Sequence, residues 1–218
     1  VIYEEDTPLY AQLQAKEFDV DEDLACDMYE ELVEQATGTG FRQYEIANFA
    51  RAEQSKAQSP KSNVAETSAC SATLDFGLWT LDIPSRACQH NVNYWRGGSF
   101  YGLGPSATGY VRGVRTKNWS NTQLYCEQLE KGKRAIESRE ELLPLARAGE
   151  TAAFGLRMVA GWPFEDFKRA TGHDLRSEWA EEMKQLTERG WGQIAPERFQ
   201  LTRQGLRFAD SAAEMFLR

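Results

Sequence analysis

Two histidines occur among the 218 residues, His90 and His173. His90 stands in CQHNVNYWRGG, residues 88–98, with Cys88, Asn91, Tyr94 and Trp95 close by in sequence. A neutral imidazole of this kind ligates a metal such as iron, or hydrogen-bonds a loop carbonyl and holds a segment closed. Tyr and Trp faces can cover a flat apolar ligand while their polar atoms find partners. Cys88 offers a thiolate as a second ligand type. His173, in RATGHD, reads as an exposed or capping residue at a helix end. Glu45 follows Tyr44; its carboxylate can hydrogen-bond a bound molecule or pair with Arg42 or Arg51. Arg157 comes two helical turns after Glu150, so the two read as an ion pair, or the guanidinium as a clamp for a ligand carboxylate. The glycines at 97, 98, 102 and 104 can form an anion-cradling nest or simply permit tight turns. Their spacing matches neither a P-loop nor a dinucleotide fingerprint.

The cysteines at 26, 70, 88 and 126 make no CxxC pair and no CxxxCxxC cluster, which predicts free thiols and a reducing compartment. Cytoplasm is the expected location, or an organellar stroma or matrix in a eukaryote. Lys plus Arg is 25 and Asp plus Glu is 33, a formal net charge of −8. That balance argues against a general nucleic-acid partner. No apolar run is long enough for a transmembrane segment, and no signal-peptide pattern opens the chain. The first residues, VIY, read as the end of an apolar strand, so further sequence is expected before Val1.

The elements that must position these residues can be read from periodicity. A helix is predicted over 21–36, with Asp21 as N-cap and an apolar stripe of Leu24, Met28 and Leu32 widened by Ala25, Tyr29, Val33 and Ala36. FRQYEIANF, 41–49, reads as a short strand running into a loop, with Tyr44 and Ile46 on a common face and Phe41 near its start. Residues 52–84 are polar and aperiodic at first and read as a flexible insertion. Short strands are predicted near 99–103 and 107–112, joined by a turn at Gly104-Pro105. Helices are predicted near 121–131, 140–159, 163–170 and 174–189. Leu175, Trp179, Met183 and Leu186 form the stripe of the last, and Trp162, Trp179 and Trp191 read as core. A hairpin over 191–201, with Trp191, Ile194, Phe199 and Leu201 inward, precedes a final helix over 203–216 capped by Thr202. Helices around a two-stranded wing suggest a winged-helix-like domain. The fold class is α+β, divided into an α+β region over 1–125 and a helical domain over 126–218.

Several motifs together resemble the radical SAM proteins related to oxygen-independent coproporphyrinogen III dehydrogenase (HemN-like), most closely the heme chaperone (HemW) branch. They are EEDTPLY at 4–10, GFRQYEIANFAR at 40–51, CQHNVNYWRG at 88–97, YGLGPSATGY at 101–110, ETAAFGLRMVAG at 150–161 and LTRQGLRFAD at 201–210. The resemblance implies the tail of a radical SAM barrel-type domain followed by a helical C-terminal domain. It implies heme as cofactor, with His90 as the iron-contacting residue and Asn91, Tyr94, Trp95, Glu45 and Arg157 around the bound group. A [4Fe–4S] cluster and S-adenosylmethionine are implied only for full-length relatives, whose CxxxCxxC loop this sequence lacks. The implied partners are heme or porphyrin and a recipient hemoprotein. The implied role is heme trafficking. The alternatives are a fragment of a coproporphyrinogen III oxidase of porphyrin biosynthesis, and a non-enzymatic interaction module. Thr108 stands where the family's glycine-rich segment carries a histidine, and residues 52–87 separate two blocks that are nearly adjacent in the family.

Overall fold

The structure is a computed structural model that describes residues 7–52 and 83–218. The expected insertion lies outside the described residues apart from its two ends. The chain divides into two compact units, the first ending at Gly40 and the second running Phe41–Arg218.

The first unit holds α1 (Pro8–Gln14) and α2 (Glu22–Gly38). Thr7 caps α1 with its hydroxyl, and Pro8 occupies the first turn, where a missing N–H costs nothing. Asp21 caps α2 as the sequence predicts, accepting from the Leu24 N–H at 2.8 Å. Only part of the predicted stripe is covered: Tyr29, Val33 and Ala36 are half-buried, whereas Leu24, Met28 and Leu32 are each more than half exposed. A 3.6 period establishes that a helix has an apolar face; it does not say which of two adjoining stripes meets a neighbour.

In the second unit, β1 (Phe41–Gln43) and β2 (Phe49–Arg51) pair antiparallel. The expected short strand and loop are present, and the chain then returns as β2 to make a hairpin, with Tyr44 and Glu45 at the start of its turn. Next comes α3 (Gln89–Trp95), a helix where sequence analysis predicted none. A three-stranded sheet follows from β3 (Thr108–Val111), β4 (Val114–Asn118) and β5 (Ile136–Glu141), in that order, with α4 (Thr122–Glu130) between β4 and β5. The β3–β4 turn is Arg112-Gly113, both at positive φ, the conformation that a two-residue hairpin loop requires. The turn predicted at Gly104-Pro105 is also present, with the Ala107 N–H donating to the Gly104 carbonyl at 3.4 Å; Phe100 bridges Tyr110 antiparallel, but 99–103 forms no continuous strand. The expected boundary at 125/126 falls within α4.

The remaining residues build the larger core. The helix predicted over 140–159 is instead the end of β5 and then α5 (Pro144–Gly155), which Pro144 starts. After it come β6 (Trp162–Pro163), α6 (Phe164–Thr171), α7 (Leu175–Glu178), α8 (Ala180–Glu188), β7 (Gly192–Ile194), β8 (Arg198–Leu201), α9 (Arg203–Arg207) and α10 (Ala209–Glu214). The predicted stripe of Leu175, Trp179, Met183 and Leu186 is buried as expected, although the helix breaks at Trp179. Thr202 caps α9 by accepting from the Gly205 N–H at 3.0 Å. The wing has three strands, in the order β6-β8-β7, because Trp162 and Pro163 pair with Phe199 and Arg198. Phe199 and Leu201 face the core; Ile194 is half exposed, contrary to expectation. No closed barrel is formed among the described residues; their sheets have two, three and three strands.

Candidate functional site

The residues singled out from the sequence gather around α3, except that His90 faces outward. Val92 of α3 packs with Tyr44, Ala50, Ala87 and Met158 in a small apolar cluster, against which Ile83 and Trp95 lie. The Tyr44 hydroxyl fastens the helix start by accepting from the Cys88 N–H at 3.2 Å, with the Asn91 side chain as a second hydrogen-bonding neighbour. Burial pushes the Tyr44 phenol above its ordinary pKa. With Asn91, Val92 and Trp95 turned toward protein, Cys88, Gln89 and His90 are left exposed. Tyr94, one turn after His90 on the same edge, is held by aromatic neighbours, with ring centroids 4.8 Å from Phe100 and 5.1 Å from Trp95.

Glu45 is fully buried, but its carboxylate is spent on its own turn. It accepts from the Ala47 N–H at 3.0 Å and from the Asn48 amide. Its backbone bridges to Met158, which brings the hairpin beside Arg157. Arg157 does not pair with Glu150. Glu150 forms a two-pronged bond with Arg115, at 2.5 and 3.2 Å, and this holds the Arg115 guanidinium above its ordinary pKa. Arg157 instead donates to Asp210 at 2.8 Å and lies over the Trp95 ring, 4.9 Å from its centroid. Two buried donors in this stack, Trp95 Nε1 and Arg157 Nε, have no acceptor. Buried donors of this kind are rare, and an acceptor oxygen reaching them would relieve a real cost.

His173 is half-buried after α6, and its backbone N–H donates to the Thr171 hydroxyl at 3.1 Å. Thr108 is exposed at the start of β3. Cys26, Cys88 and Cys126 are free thiols. Among the described residues, no group of three His, Cys, Asp or Glu side chains is placed to hold a metal ion. No described helix is long and apolar enough to cross a membrane.

Sequence analysis missed Arg96. An arginine among glycines in a sequence suggests solvent-exposed charge, yet the Arg96 side chain is 2% exposed. Its guanidinium lies 4.4 Å from the centroid of the Trp162 ring, and none of its three nitrogens has a hydrogen-bond partner. Burial drives its pKa down to about 9, against the attraction of Asp166 and with the repulsion of Arg198. No local signal reveals this, because the groups that bury Arg96 come from β6 and α6.

Comparison with known proteins agrees with this arrangement. The HemN C-terminal domain family matches residues 142–208. The chain is 24% identical to the heme chaperone HemW of Lactococcus lactis over 196 residues, covering 90% of this chain and 43% of that protein. It is 24% identical to the Bacillus subtilis heme chaperone HemW over 191 residues, covering 88% and 42%. A mitochondrial radical S-adenosyl methionine domain-containing protein 1 of mouse is 33% identical over 107 residues, covering 49% and 17%. The solved coproporphyrinogen III oxidase (HemN) of Escherichia coli superposes with a TM-score of 0.57 at 15% identity, covering 88% of this chain and 40% of that one. The chain thus spans less than half the length of these relatives. It carries a HemN C-terminal domain, and along most of its length it matches the HemW and HemN members of the radical SAM family.

Proposed function

We propose that this chain is the heme-handling part of a HemW-like trafficking protein. The carrying observation is the spare valence around α3. The His90 imidazole is exposed, and Trp95 Nε1 and Arg157 Nε are buried donors without acceptors. Heme needs an axial nitrogen for its iron and cationic or N–H donors for its carboxylates, and these residues are of those types. His90 would hold the iron, Arg157 and Trp95 a propionate, and Tyr94 the near edge of the macrocycle. Bound heme supplies a redox-active, ligand-exchanging iron. Asn91 positions α3 through Tyr44, and Glu45 shapes the adjoining turn, without either having to touch the ligand. A single exposed imidazole with no enclosing pocket binds weakly and releases readily, which suits transfer to a recipient hemoprotein better than permanent storage.

Titrating ferric heme into the chain is expected to shift the Soret band. His90→Ala should remove the shift, whereas His173→Ala and Cys88→Ala retain it. Trp95→Phe, which removes the unpaired N–H and part of the ring while keeping an aromatic face, should lower affinity without changing the band. An unchanged spectrum and affinity in a folded His90→Ala protein would overturn the assignment.

The division at 125/126 is part of the same proposal, supported by the larger core, whose buried members all lie between Ala148 and Phe216. A fragment of residues 126–218 is expected to unfold cooperatively in urea. A gradual, sloping transition would show that it depends on the preceding sheet.

A further inference from the structure

A second concave surface lies on the opposite side of the β3–β4–β5 sheet from Arg115 and Glu150. It is a groove of about 710 Å³ between the sheet and α4, within the size range of small-molecule sites. Strand alternation builds its floor: Val111, Val114 and Thr116 point to one face while Tyr110 and Arg115 point to the other. Tyr125 and Leu129 of α4 form the wall. At one end, bare backbone replaces side chains. A Cβ at Gly102 would come within 2.6 Å of the Thr108 carbonyl, and one at Gly109 within 2.9 Å of the Gly102 nitrogen. The floor there is flat because no side chain fits.

This end is also rigid. The Asn118 amide donates to the Gly102 and Gly104 carbonyls at 3.2 and 2.9 Å, and the Gly104 N–H donates to the Tyr125 hydroxyl at 3.2 Å. Tyr101, beside it, is 81% exposed. The charged residues lining the groove are Arg134 and Arg139, with no acid among the lining residues, in a chain of net charge −8. Arg139 pairs with Glu141 at 3.0 Å, but both partners are more than half exposed, and so weak a pair yields to a better carboxylate.

The geometry points to a binding site for a flat aromatic carboxylate, its ring system on the sheet face and its carboxylate at Arg134 and Arg139. The apolar floor and aromatic edge select the body, and the two arginines, offset by the exposed carboxylate of Glu141, select the sign. Arg134, Arg139 and Thr116 are distinct from His90, Trp95 and Arg157, so variants of this groove test it without removing a proposed heme contact.

Pyrene-1-carboxylate is a suitable fluorescent probe. Saturable binding to the whole chain is expected, at least about tenfold tighter than that of the neutral pyrene-1-methanol. The Arg134→Ala/Arg139→Ala double variant should lose about tenfold in affinity, and Thr116→Trp should block binding by filling the floor. Lys184→Ala, which removes an exposed cation on α8, is the charge control and should bind as the parent does. Circular dichroism establishes that each variant is folded. Equal affinity of the double variant and the parent, or no saturable binding by the parent, overturns the site. A dimer that disappears in Thr116→Trp would also overturn it, because a second copy would then be the occupant.

Discussion

Trp162→Ala is expected to cost about 3–5 kcal/mol of folding free energy and to lower the thermal midpoint by about 10 °C or more. The indole is wholly buried where three parts of the core meet. Its Nε1 donates to the Thr151 and Ala152 carbonyls, both at 3.2 Å, at the C-terminal half of α5. Its ring meets Phe167 edge-on at 5.3 Å and carries the Arg96 guanidinium at 4.4 Å. Gly155 exists to admit it, since a Cβ there would overlap the indole. Alanine would leave a cavity and would strip a buried cation of its aromatic partner, and the two costs add. Trp191→Ala is the comparison. That ring is only half-buried and stacks at 4.6 Å on Phe208, itself 40% exposed, so its loss should be clearly smaller. Urea midpoints of the two variants test the ranking. Equal losses would mean that Trp162 is not the centre of this core.

The opposite sign is expected for Arg96→Met, which should gain about 1–3 kcal/mol at neutral pH. A buried charge without hydrogen bonds is costlier than an apolar side chain of similar length, and the cation–π contact with Trp162 offsets only about 2 kcal/mol of that cost. The gain should depend on pH. Burial lowers the guanidinium pKa from its ordinary, far more basic value in the unfolded chain to about 9 in the fold. Below about 9 both states are protonated and the burial cost is present in full. Above about 9 the unfolded chain still holds a proton that the fold has released, so the cost shrinks as pH rises. The advantage of Arg96→Met should therefore be constant through the neutral range and narrower at about pH 10. Paired urea titrations at the two pH values measure it. Destabilisation at neutral pH would show that the fold relies on the charge.

Local signals in the sequence determined much of the scaffold. Asp21 and Thr202 cap the helices they were predicted to cap, because a cap needs only its own side chain and the N–H groups of the next turn. The Leu175, Trp179, Met183 and Leu186 stripe is buried because a strong 3.6 period leaves the helix one apolar face to bury. The HemN-related motifs were legible from residue types and order alone, and the matched domain over 142–208 bears out that resemblance. The sequence also showed the residue types around His90 that could do chemistry.

Tertiary structure decided what each of those residues does. Glu150 bonds Arg115 of β4 and not Arg157, because α5 ends at Gly155 and Arg157 lies beyond it, off the helical face that the spacing implied. FRQYEIANF became a hairpin because pairing Phe41 with Arg51 satisfies both strands, and Glu45 was consumed by the turn between them. Leu24, Met28 and Leu32 are exposed although their period is as regular as that of the buried stripe in α7 and α8. The α4 groove and the unpaired Arg96 could not be read from any window of sequence. Each is made by segments distant in the chain, and burial, charge balance and open volume are properties of the space those segments enclose.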